Sequence, residues 1–591
     1  MFSFIKRFFR SGAWKYALMG AVIGCVLFLS IYGTRSLIPT NVYWVYHSPS
    51  TDMPGHQIGF DFFRNDKWHF QLGMYERYSE DQLSSVVYSD SCAPMAILFK
   101  LFDPVLPEFF QYWGIWTLLC FMLHGTFAAL IFRKLCMDMF SAAIAVVIMV
   151  CNSSLLFRVF HHSTLVAQWL ILIMILIWLY RDKLKRKKRR VIVWSVFTSV
   201  AVSIHLYLFI MTGVFMVIFM VYDSIKNKAV LSNLKAFVSA VVSVCVTWCL
   251  VGGMVAKVSR GETMGLGLFS LNLLSPFNSM GKSLYVPGLA HLLPQEMEDT
   301  GYLGMGGFVL LAIGIVVVLK NSGRIILFLR ERRLETISVV VLMLGFIIFS
   351  LSPYVSCGDR IVFDYSKIIP DFIMYIWRTL RSTARFFWPV QYSVYVALIF
   401  IASKGLKKDR MIALLILCAF IQYVDVVPAF AKLYDRLYDV RDGYSSVFYD
   451  TLKESLSPDV KRVAMITDPY IRFIEPAMFA AKTGRTINVA YLSRLEDWDV
   501  EDAIKDWNSR SFREDTVYCV PVSMLYKVDE IAIPEDCECL TIDGYTILIK
   551  KTGLQGSAYE EFKTDNETLN KRVRNMKEYI KSQEEASVGE Q

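Results

Sequence analysis

Charge is the scarcest property of this sequence. Only 19% of its 591 residues are charged, whereas 55% are hydrophobic and the mean hydropathy is +0.41. A soluble chain usually has about 25% charged residues. The apolar residues form repeated runs of about 17–22 residues, such as 236–256 and 303–319, long enough to cross a hydrocarbon layer as helices. These features exclude a soluble enzyme, a disulfide-rich secreted scaffold and a disordered chain, and they predict a polytopic membrane protein.

Three other features are missing from the sequence. The twelve cysteines contain no CxxC pair and no Cys/His spacing typical of a metal site. The first apolar run, 17–31, is followed by Tyr32-Gly33-Thr34-Arg35 and not by a small-residue cleavage site, so we expect a retained signal anchor. No internal repeat of the kind found in many transporters is visible.

The net charge of +9 is unevenly distributed. Residues 1–440 carry +17 and residues 441–591 carry −8. Basic clusters at 181–190, 324–333 and 404–410 stand at the ends of apolar runs, as cytoplasmic loops do. This pattern indicates membrane topology and not nucleic-acid binding. Taken alone, the 181–190 cluster would also suit anionic lipid.

Alternation of basic and non-basic flanks predicts about eleven spans in the cell membrane, with the N-terminus cytoplasmic. The run 191–222 is too long for one ordinary span and short for two. Because both of its flanks are basic, we expect two short helices that turn near His205, and a single tilted helix is the alternative. The other spans are predicted near 17–31, 111–132, 139–157, 163–180, 236–256, 303–320, 335–352, 387–403 and 409–427.

The predicted fold class is mainly α, a transmembrane helical bundle over residues 1–440 followed by a small extracytoplasmic α/β domain. The bundle includes a long first outer loop, 35–110. The domain is predicted over 441–552, because strand-length apolar stretches lie at 463–466, 516–520 and 545–549. Residues 553–591 are polar and rich in charge, and they are expected to form a solvated helical or disordered tail.

The first outer loop contains a candidate catalytic pair. Asp52 and His56 are four residues apart, so a helix would place them on one face, and Pro54 is compatible with a first helical turn. Such a pair can bind a divalent ion or act as a general base. The alternative is a helix-capping Asp with an incidental His.

Other polar residues are predicted on the same side of the membrane. Asp90 precedes a short apolar stretch, 95–102, that suits a re-entrant or interfacial helix, and the plain interpretation of Asp90 is a helix cap. His205 lies at the proposed outer turn, and Glu298 lies in a later outer loop. Ionisable residues so close to apolar segments are costly and often functional.

The segment 378–389 is the most suggestive basic feature. Arg381 and Arg385 are four residues apart beside Phe386, Phe387 and Trp388. They are predicted to face outward, so the positive-inside rule does not explain them. A guanidinium fork suits a phosphate. An interfacial Trp/Arg anchor is the alternative.

In this arrangement the chain resembles the GT-C superfamily of membrane glycosyltransferases, and more narrowly an uncharacterised bacterial family of polytopic membrane proteins within it. The resemblance covers most of residues 17–550. Two departures are a single Asp in place of an adjacent acidic pair, and Ala384 where Gly is expected before Arg385. The segments that carry the resemblance are Asp52 with His56, Phe62-Phe63-Arg64, 88–91, 275–278, 301–304, 385–389 and 488–491.

The resemblance implies transfer of a sugar from a polyprenyl-phosphate donor to an extracytoplasmic acceptor such as a glycan, a lipid or an envelope polymer. Asp52 would act as catalytic base, supported by His56. Asp52 and His56 are also the candidate ligands for a divalent metal, Mg²⁺ or Mn²⁺. Two sets of supporting residues are implied: Arg385, Arg381 and Arg64 for the donor phosphate, and Asp90, His205 and Glu298 for acceptor binding or support.

Two other classes of protein fit the same composition. One is a transporter or flippase of an envelope glycolipid, and the other is a non-catalytic envelope scaffold. Product analysis separates an enzyme from a scaffold, and reconstituted flux identifies a transporter.

Overall fold

The structure is a computed structural model that describes residues 11–48, 52–78, 80–254, 266–292, 301–433, 444–468, 471–493 and 500–589. It is mainly helical, with 64% of residues in helices. Up to residue 250 the helices are α1 (Ala13–Tyr32), α2 (Tyr43–Tyr46), α3 (Asp52–Arg64), α4 (Ala93–Lys100), α5 (Trp113–Lys134), α6 (Met139–Val150), α7 (Ser153–Phe157), α8 (Trp169–Leu179), α9 (Lys187–Ile204), α10 (Leu206–Asn227) and α11 (Val230–Leu250).

The remaining helices follow in two groups. Between residues 301 and 433 they are α12 (Gly304–Lys320), α13 (Ser322–Glu331), α14 (Arg333–Leu351), α15 (Asp371–Thr379), α16 (Trp388–Gly405) and α17 (Lys408–Leu433). After residue 444 they are α18 (Val447–Ser455), α19 (Ile474–Thr483), α20 (Glu501–Asn508) and α21 (Asn566–Gly589).

The strands form two hairpins and one mixed sheet. Strand β1 pairs antiparallel with β2, β3 pairs antiparallel with β4, and the five-stranded sheet has the order β6-β5-β7-β9-β8. The strands are β1 (Met74–Arg77), β2 (Glu80–Ser85), β3 (Tyr354–Cys357), β4 (Arg360–Asp364), β5 (Arg462–Met465), β6 (Thr486–Ile487), β7 (Thr516–Pro521), β8 (Cys537–Ile542) and β9 (Tyr545–Lys550).

The chain divides into two compact units. The membrane unit comprises Met1–Pro39, Tyr112–Trp248 and Gly261–Val440, and the loop–tail unit comprises Thr40–Gln111, Cys249–Arg260 and Arg441–Gln591. The first loop, predicted as part of the residue 1–440 domain, therefore folds together with the acidic C-terminal residues.

Within the described part of the chain, seven helices of the membrane unit are long and apolar enough to cross a membrane, or up to eight when the bent pair α12–α13 is counted as one span. The prediction of about eleven spans is therefore too high by this measure. The apolar runs at 139–157 and 163–180 form helices α6 and α8 of only 12 and 11 residues, and α9 begins with four basic residues.

The run 191–222 forms two antiparallel helices, α9 and α10. They meet at His205, whose extended backbone (φ −162°, ψ 137°) ends α9 and whose Nδ1 caps the Tyr207 amide at 3.1 Å. The antiparallel pairing is set by a buried ion pair, Arg190–Asp223, at 2.9 Å and by the rings of Trp194 and Phe219 at 5.1 Å. The predicted hairpin is therefore present.

The mixed sheet is the core of the loop–tail unit. Strand β7 lies at its centre, parallel to β5 and antiparallel to β9, and its residues are buried. Trp507 from α20 and Leu569 and Val573 from α21 are buried against this sheet. The polar tail thus contains a helix whose apolar face is part of the core. The three predicted strand stretches are β5, β7 and β9, whereas β6 and β8 were not predicted.

First-loop residues pair directly with C-terminal residues inside the loop–tail unit. Tyr78 forms a parallel bridge with Ile487, and the Ser493 amide donates to the Tyr88 carbonyl at 2.7 Å. These backbone contacts set the position of helix α3 and the turn that precedes α4, where the predicted catalytic residues lie.

Candidate active site

Helix α3 carries the predicted catalytic pair. The helix begins at Asp52, and Pro54 lies in its first turn, where a missing N–H is tolerated. The four-residue spacing puts Asp52 and His56 on one face, as predicted. His56 is buried, at 1% exposure, whereas Asp52 is half-buried. The acidic group therefore keeps access to solvent and the imidazole does not.

Asp52 contacts a tyrosine from the C-terminal part of the chain. Tyr491 Oη donates a hydrogen bond to Asp52 Oδ1. The Tyr491 ring lies edge-on to His56, with centroids 6.2 Å apart, and is stacked parallel to Phe473 at 6.2 Å. The backbone amide of Tyr491 donates a hydrogen bond to Tyr78 Oη at 2.7 Å. Burial raises the pKa of Tyr78 well above its ordinary value, so this hydroxyl stays neutral.

Gly55 makes the close approach of Tyr491 to α3 possible. A Cβ at this position would lie 2.3 Å from Cδ1 of the Tyr491 ring. One turn further along, a Cβ at Gly59 would lie 2.3 Å from that of Ser89. The two glycines therefore leave room on α3 for the two segments that contact Asp52 and His56.

His56 is oriented by the turn between β2 and α4. Its Nδ1 lies 2.9 Å from the Ser89 carbonyl, an acceptor, so Nδ1 carries a proton. Its Nε2 faces Asp90 Oδ2 at 3.5 Å. The Ser91 hydroxyl donates to the His56 carbonyl at 2.7 Å. With Nδ1 protonated, Nε2 is the atom that exchanges a proton or binds a metal.

The turn that holds Asp90 has an unusual backbone. Asp90 and Cys92 are non-glycine residues in the left-handed region, with φ of 51° and 52°. Such residues are held at a cost of about 1–3 kcal/mol each and are found mainly at functional sites. The N-cap of α4 is Cys92 and not Asp90. The expected helix-cap role of Asp90 is therefore wrong, and its carboxylate faces His56.

A second polar group on α3, here called the Asp61 clamp, was not predicted. It comprises Tyr46, Gln57, Asp61 and Lys482. Asp61 is fully buried and accepts from Lys482 Nζ at 2.7 Å, from Gln57 Nε2 at 3.1 Å and from Tyr46 Oη. Burial, followed by the neighbouring Asp61 carboxylate, raises the pKa of Tyr46 well above its ordinary value. The clamp ties α3 to α19.

Arg64 was predicted to bind the donor phosphate, but its contacts are all structural ones within the first loop. It is buried, pairs with Asp103, and donates to the carbonyls of Pro107 at 2.7 Å and Leu106 at 3.2 Å. These bonds use the guanidinium to hold the segment that follows α4. Arg64 is therefore not included in the phosphate-binding group proposed below.

Arg385 and His205 lie in the membrane unit and share one neighbour, Tyr207. The Arg385 guanidinium lies 4.7 Å from the centroid of the Tyr207 ring, a cation–π contact. Tyr207 Oη accepts from the Ser382 amide at 3.1 Å. His205 caps α10 through its contact with the Tyr207 amide. The structure thus brings together two residues that the sequence placed in separate loops.

Arg381 differs from Arg385 in exposure. Arg385 is 4% exposed, whereas Arg381 is exposed and its guanidinium lies 5.9 Å from the Phe269 ring. Glu298 lies outside the described residues.

Two groups in the loop–tail unit have the chemistry of metal ligands. His56 Nε2 and Asp90 Oδ2 face each other at 3.5 Å, a spacing that one ion can bridge. Asp66, His69 and Glu76 form the second group. In that group burial alone would raise the pKa of Asp66, but hydrogen bonds from His69 and from the Glu76 and Lys67 amides lower it below its ordinary value.

The residues missed by the sequence interpretation had weak local signals. Tyr491 lies in the 488–491 segment that supports the family resemblance, but nothing in a single sequence pairs it with Asp52. Gln57 and Asp61 are four residues apart, as are Asp52 and His56, and this spacing is a local signal that could have revealed the pair. Lys482 is 421 residues from Asp61, so only the fold reveals the pair.

The fold and these polar groups define a helical membrane protein whose first loop and C-terminal residues form one sheet-containing unit. The chain belongs to the DUF6311 family. The family model described as a domain of unknown function (DUF6311) matches residues 21–427, and the model described as the DUF6311 C-terminal domain matches residues 453–550. No curated protein matches the chain.

Proposed function

We propose that the protein is a GT-C-type glycosyltransferase that moves a sugar from a polyprenyl-phosphate donor to an acceptor outside the cytoplasm. The observation that carries the proposal is the group formed by Asp52, His56, Asp90 and Tyr491. It combines a solvent-accessible carboxylate, an imidazole with an assigned tautomer and a second carboxylate, held by a turn with two left-handed non-glycine residues. Such a group suits proton transfer from an acceptor hydroxyl.

Asp52 is the proposed general base. Its exposed part would take the proton of the acceptor hydroxyl, while Tyr491 holds the other side of the carboxylate in place. The Tyr491 hydrogen bond stabilises the ionised form of the carboxylate. Tyr491 is thus a positioning residue and Asp52 the catalytic one.

His56 and Asp90 are proposed to support the acceptor or a divalent metal. An N,O donor pair suits Mn²⁺ better than Mg²⁺, which prefers oxygen ligands. A bound ion would supply charge stabilisation for the phosphate that leaves.

Arg385, with Arg381, is proposed to neutralise the charge that grows on the leaving phosphate as the glycosidic bond breaks. A guanidinium buried to 4% exposure interacts with a phosphate in a medium of low dielectric constant, where the attraction is stronger than in water.

Chain connectivity supports a proposed sidedness of the membrane segments. If the loop–tail unit lies on one side of the bilayer, the chain crosses an even number of times between residues 111 and 249. The three long candidate spans there, α5, α10 and α11, give an odd number. Helix α9 is the antiparallel partner of α10 and starts at the basic cluster, so its crossing makes the number even.

The same condition applies between residues 254 and 444. Among the described residues there, the long spans α14, α16 and α17 are three in number, and α12 is proposed to cross as a fourth. If helices α6 and α8, between residues 111 and 249, both cross the membrane, they add two crossings and the number there stays even. A cytoplasmic N-terminus and an extracytoplasmic loop–tail unit are proposed, because the basic clusters would then lie on the opposite, cytoplasmic side.

The test is a transfer assay on the reconstituted full chain, with labelled polyprenyl-phosphate hexoses as donors and an envelope extract as acceptor. Asp52→Asn is expected to lower turnover about 100-fold to 10,000-fold. Its matched control is Asp502→Asn, an exposed aspartate in the first turn of α20 in the same unit. Arg385→Ala is compared with Arg360→Ala, which alters an 85% exposed arginine of the membrane unit.

Unchanged turnover in both Asp52→Asn and Arg385→Ala would contradict the proposal. Movement of the labelled lipid across proteoliposomes without a glycosylated product would instead identify a flippase. A folded protein that gives no glycosylated product and no lipid movement would favour an envelope scaffold.

A further inference from the structure

A basic pocket lies at the ends of three segments of the membrane unit, and none of its lining residues belongs to the candidate active site. Its volume is about 590 Å³, and its lining includes Lys15 and Tyr16 from α1, Arg133 and Lys134 from the end of α5, and Tyr180 and Lys183 after α8. More than a hundred residues separate the α1 segment from the end of α5, and some fifty separate the end of α5 from the segment after α8. The fold therefore assembles the pocket.

Four cationic side chains converge on this pocket, and none of the described residues that line it is acidic. Lys134 Nζ and Lys183 Nζ lie 5.0 and 4.5 Å from the centroid of the same ring, that of Tyr180. The Arg133 guanidinium lies 5.9 Å from the Tyr16 ring and donates to the Ser11 carbonyl at 2.5 Å. Two ammonium groups on one ring repel each other, and an anion beside them would offset that repulsion.

The positive-inside rule explains the sign of these residues but not their arrangement. Basic residues that act only as topology signals need no common cavity, and in α13 the side chains of Arg324 and Arg330 are simply exposed. Here the two tyrosines form walls and the cations face one space. Basic pockets between helix ends on the cytoplasmic side suit phosphate-bearing head groups.

We propose that this pocket is a binding site for a phosphate group, supplied by the head group of an anionic phospholipid or by a soluble phosphate, on the membrane face that carries the basic clusters. Arg133 and Lys134 hold the phosphate oxygens, Lys15 and Lys183 add charge at the rim, and Tyr16 and Tyr180 bound the space laterally. This site is independent of the proposed transfer reaction.

The test uses the detergent-purified full chain and its thermal unfolding midpoint. Three probes are titrated at constant ionic strength: dihexanoyl phosphatidylglycerol, dihexanoyl phosphatidylcholine and inorganic phosphate. A ligand that binds the folded state raises the midpoint saturably. Phosphatidylglycerol is expected to do so, and Arg133→Gln with Lys134→Gln is expected to weaken its apparent affinity about 10-fold or more.

The matched control is Arg324→Gln with Arg330→Gln. It removes the same charge from the basic cluster 324–333, away from the pocket, and should leave the affinity for phosphatidylglycerol unchanged. Lys134→Arg keeps the charge and should retain binding. Should the pocket double variant not fold, Lys183→Gln, at an exposed turn residue, is expected to weaken binding about 3-fold.

The probes distinguish the sources of the phosphate. Saturable binding of phosphatidylglycerol alone identifies a lipid head group, and binding of inorganic phosphate identifies a soluble phosphate. Both support the site. An equal response to phosphatidylcholine, an unaltered response in the pocket variants, or an equal loss in the control would overturn it.

Discussion

Helix α3 carries two aspartates that meet the C-terminal residues in opposite ways. Asp61 is fully buried and receives hydrogen bonds from Lys482, Gln57 and Tyr46. Asp52, two and a half turns earlier, is half-buried, and its contact with the C-terminal residues is the hydrogen bond that Tyr491 donates to it. The first carboxylate is saturated and shielded from substrate, so it can only hold the fold. The second keeps the access to solvent that a general base requires.

The sharpest way to test this difference is to break the buried pair. Lys482→Met leaves the Asp61 carboxylate buried without its cation and is expected to lower the free energy of unfolding by about 3–5 kcal/mol. Asp61→Asn combined with Lys482→Met removes both charges and should recover much of that loss. Thermal unfolding of the purified chain in detergent measures both.

The control for the clamp is Lys453→Met, which removes an exposed lysine of the same unit that pairs with Glu108. Exposed ion pairs contribute about 0–1 kcal/mol, so this variant should unfold close to the wild type. If Lys482→Met were no less stable than Lys453→Met, the clamp would not be structural.

A second test is to block the contact that orients Asp52. A Cβ at Gly55 would lie 2.3 Å from the Tyr491 ring, so Gly55→Ala must displace that ring and is expected to destabilise the chain by about 1–3 kcal/mol. Gly213→Ala in α10, where nothing lies within 4 Å, should be neutral or stabilising. Equal midpoints for the two alanine variants would show that Tyr491 does not pack against α3.

A smaller effect is expected from Tyr491→Phe, which keeps the ring and removes the hydroxyl. The hydrogen bond to Asp52 favours the ionised carboxylate, so its loss should raise the pKa of the base and shift the acid limb of the pH–rate profile upward. Turnover near neutral pH should fall about 10-fold, while the unfolding midpoint changes little. A fall in turnover with no shift of the acid limb would contradict this positioning role.

The sequence predicted the regular elements well because their signals are local. The apolar runs form helices α1, α5, α11, α14 and α17, the turn at His205 separates α9 from α10, and β5, β7 and β9 lie where strand-length apolar stretches were found. The lengths of some helices were predicted less accurately. Helix ends at α6 and α8 depend on tertiary packing, so the runs at 139–157 and 163–180 overstated the helices.

The candidate site was predictable only in part, for a physical reason. The Asp52–His56 spacing follows from helix geometry, and the pairing of His56 with Asp90 lies within one loop. The contacts of Tyr491 and Lys482 with α3 depend on long-range packing of the sheet, which no local pattern encodes. The same holds for Arg64, whose sequence context gave no indication of its pairing with Asp103.

Two buried lysines of the loop–tail unit, Lys482 and Lys100, differ in their partners. Lys482 has a carboxylate partner, whereas Lys100 donates to the Lys67 carbonyl and lies 4.1 and 4.7 Å from the centroids of the Phe63 and Trp68 rings. Burial lowers the pKa of Lys100 to about 8. The folded-state pKa is thus below that of the unfolded chain, and between the two values the unfolded state binds more protons.

Stability of the chain should therefore rise with pH from about 8 toward 10, by at most about 1.4 kcal/mol per pH unit from this residue. Lys100→Met is expected to remove that rise, because the variant has no proton to lose. Unfolding midpoints of wild type and variant measured at pH 7, 8 and 9 give the difference. Parallel profiles for the two would mean that Lys100 titrates normally and that the rings and the Lys67 carbonyl fully stabilise its charge.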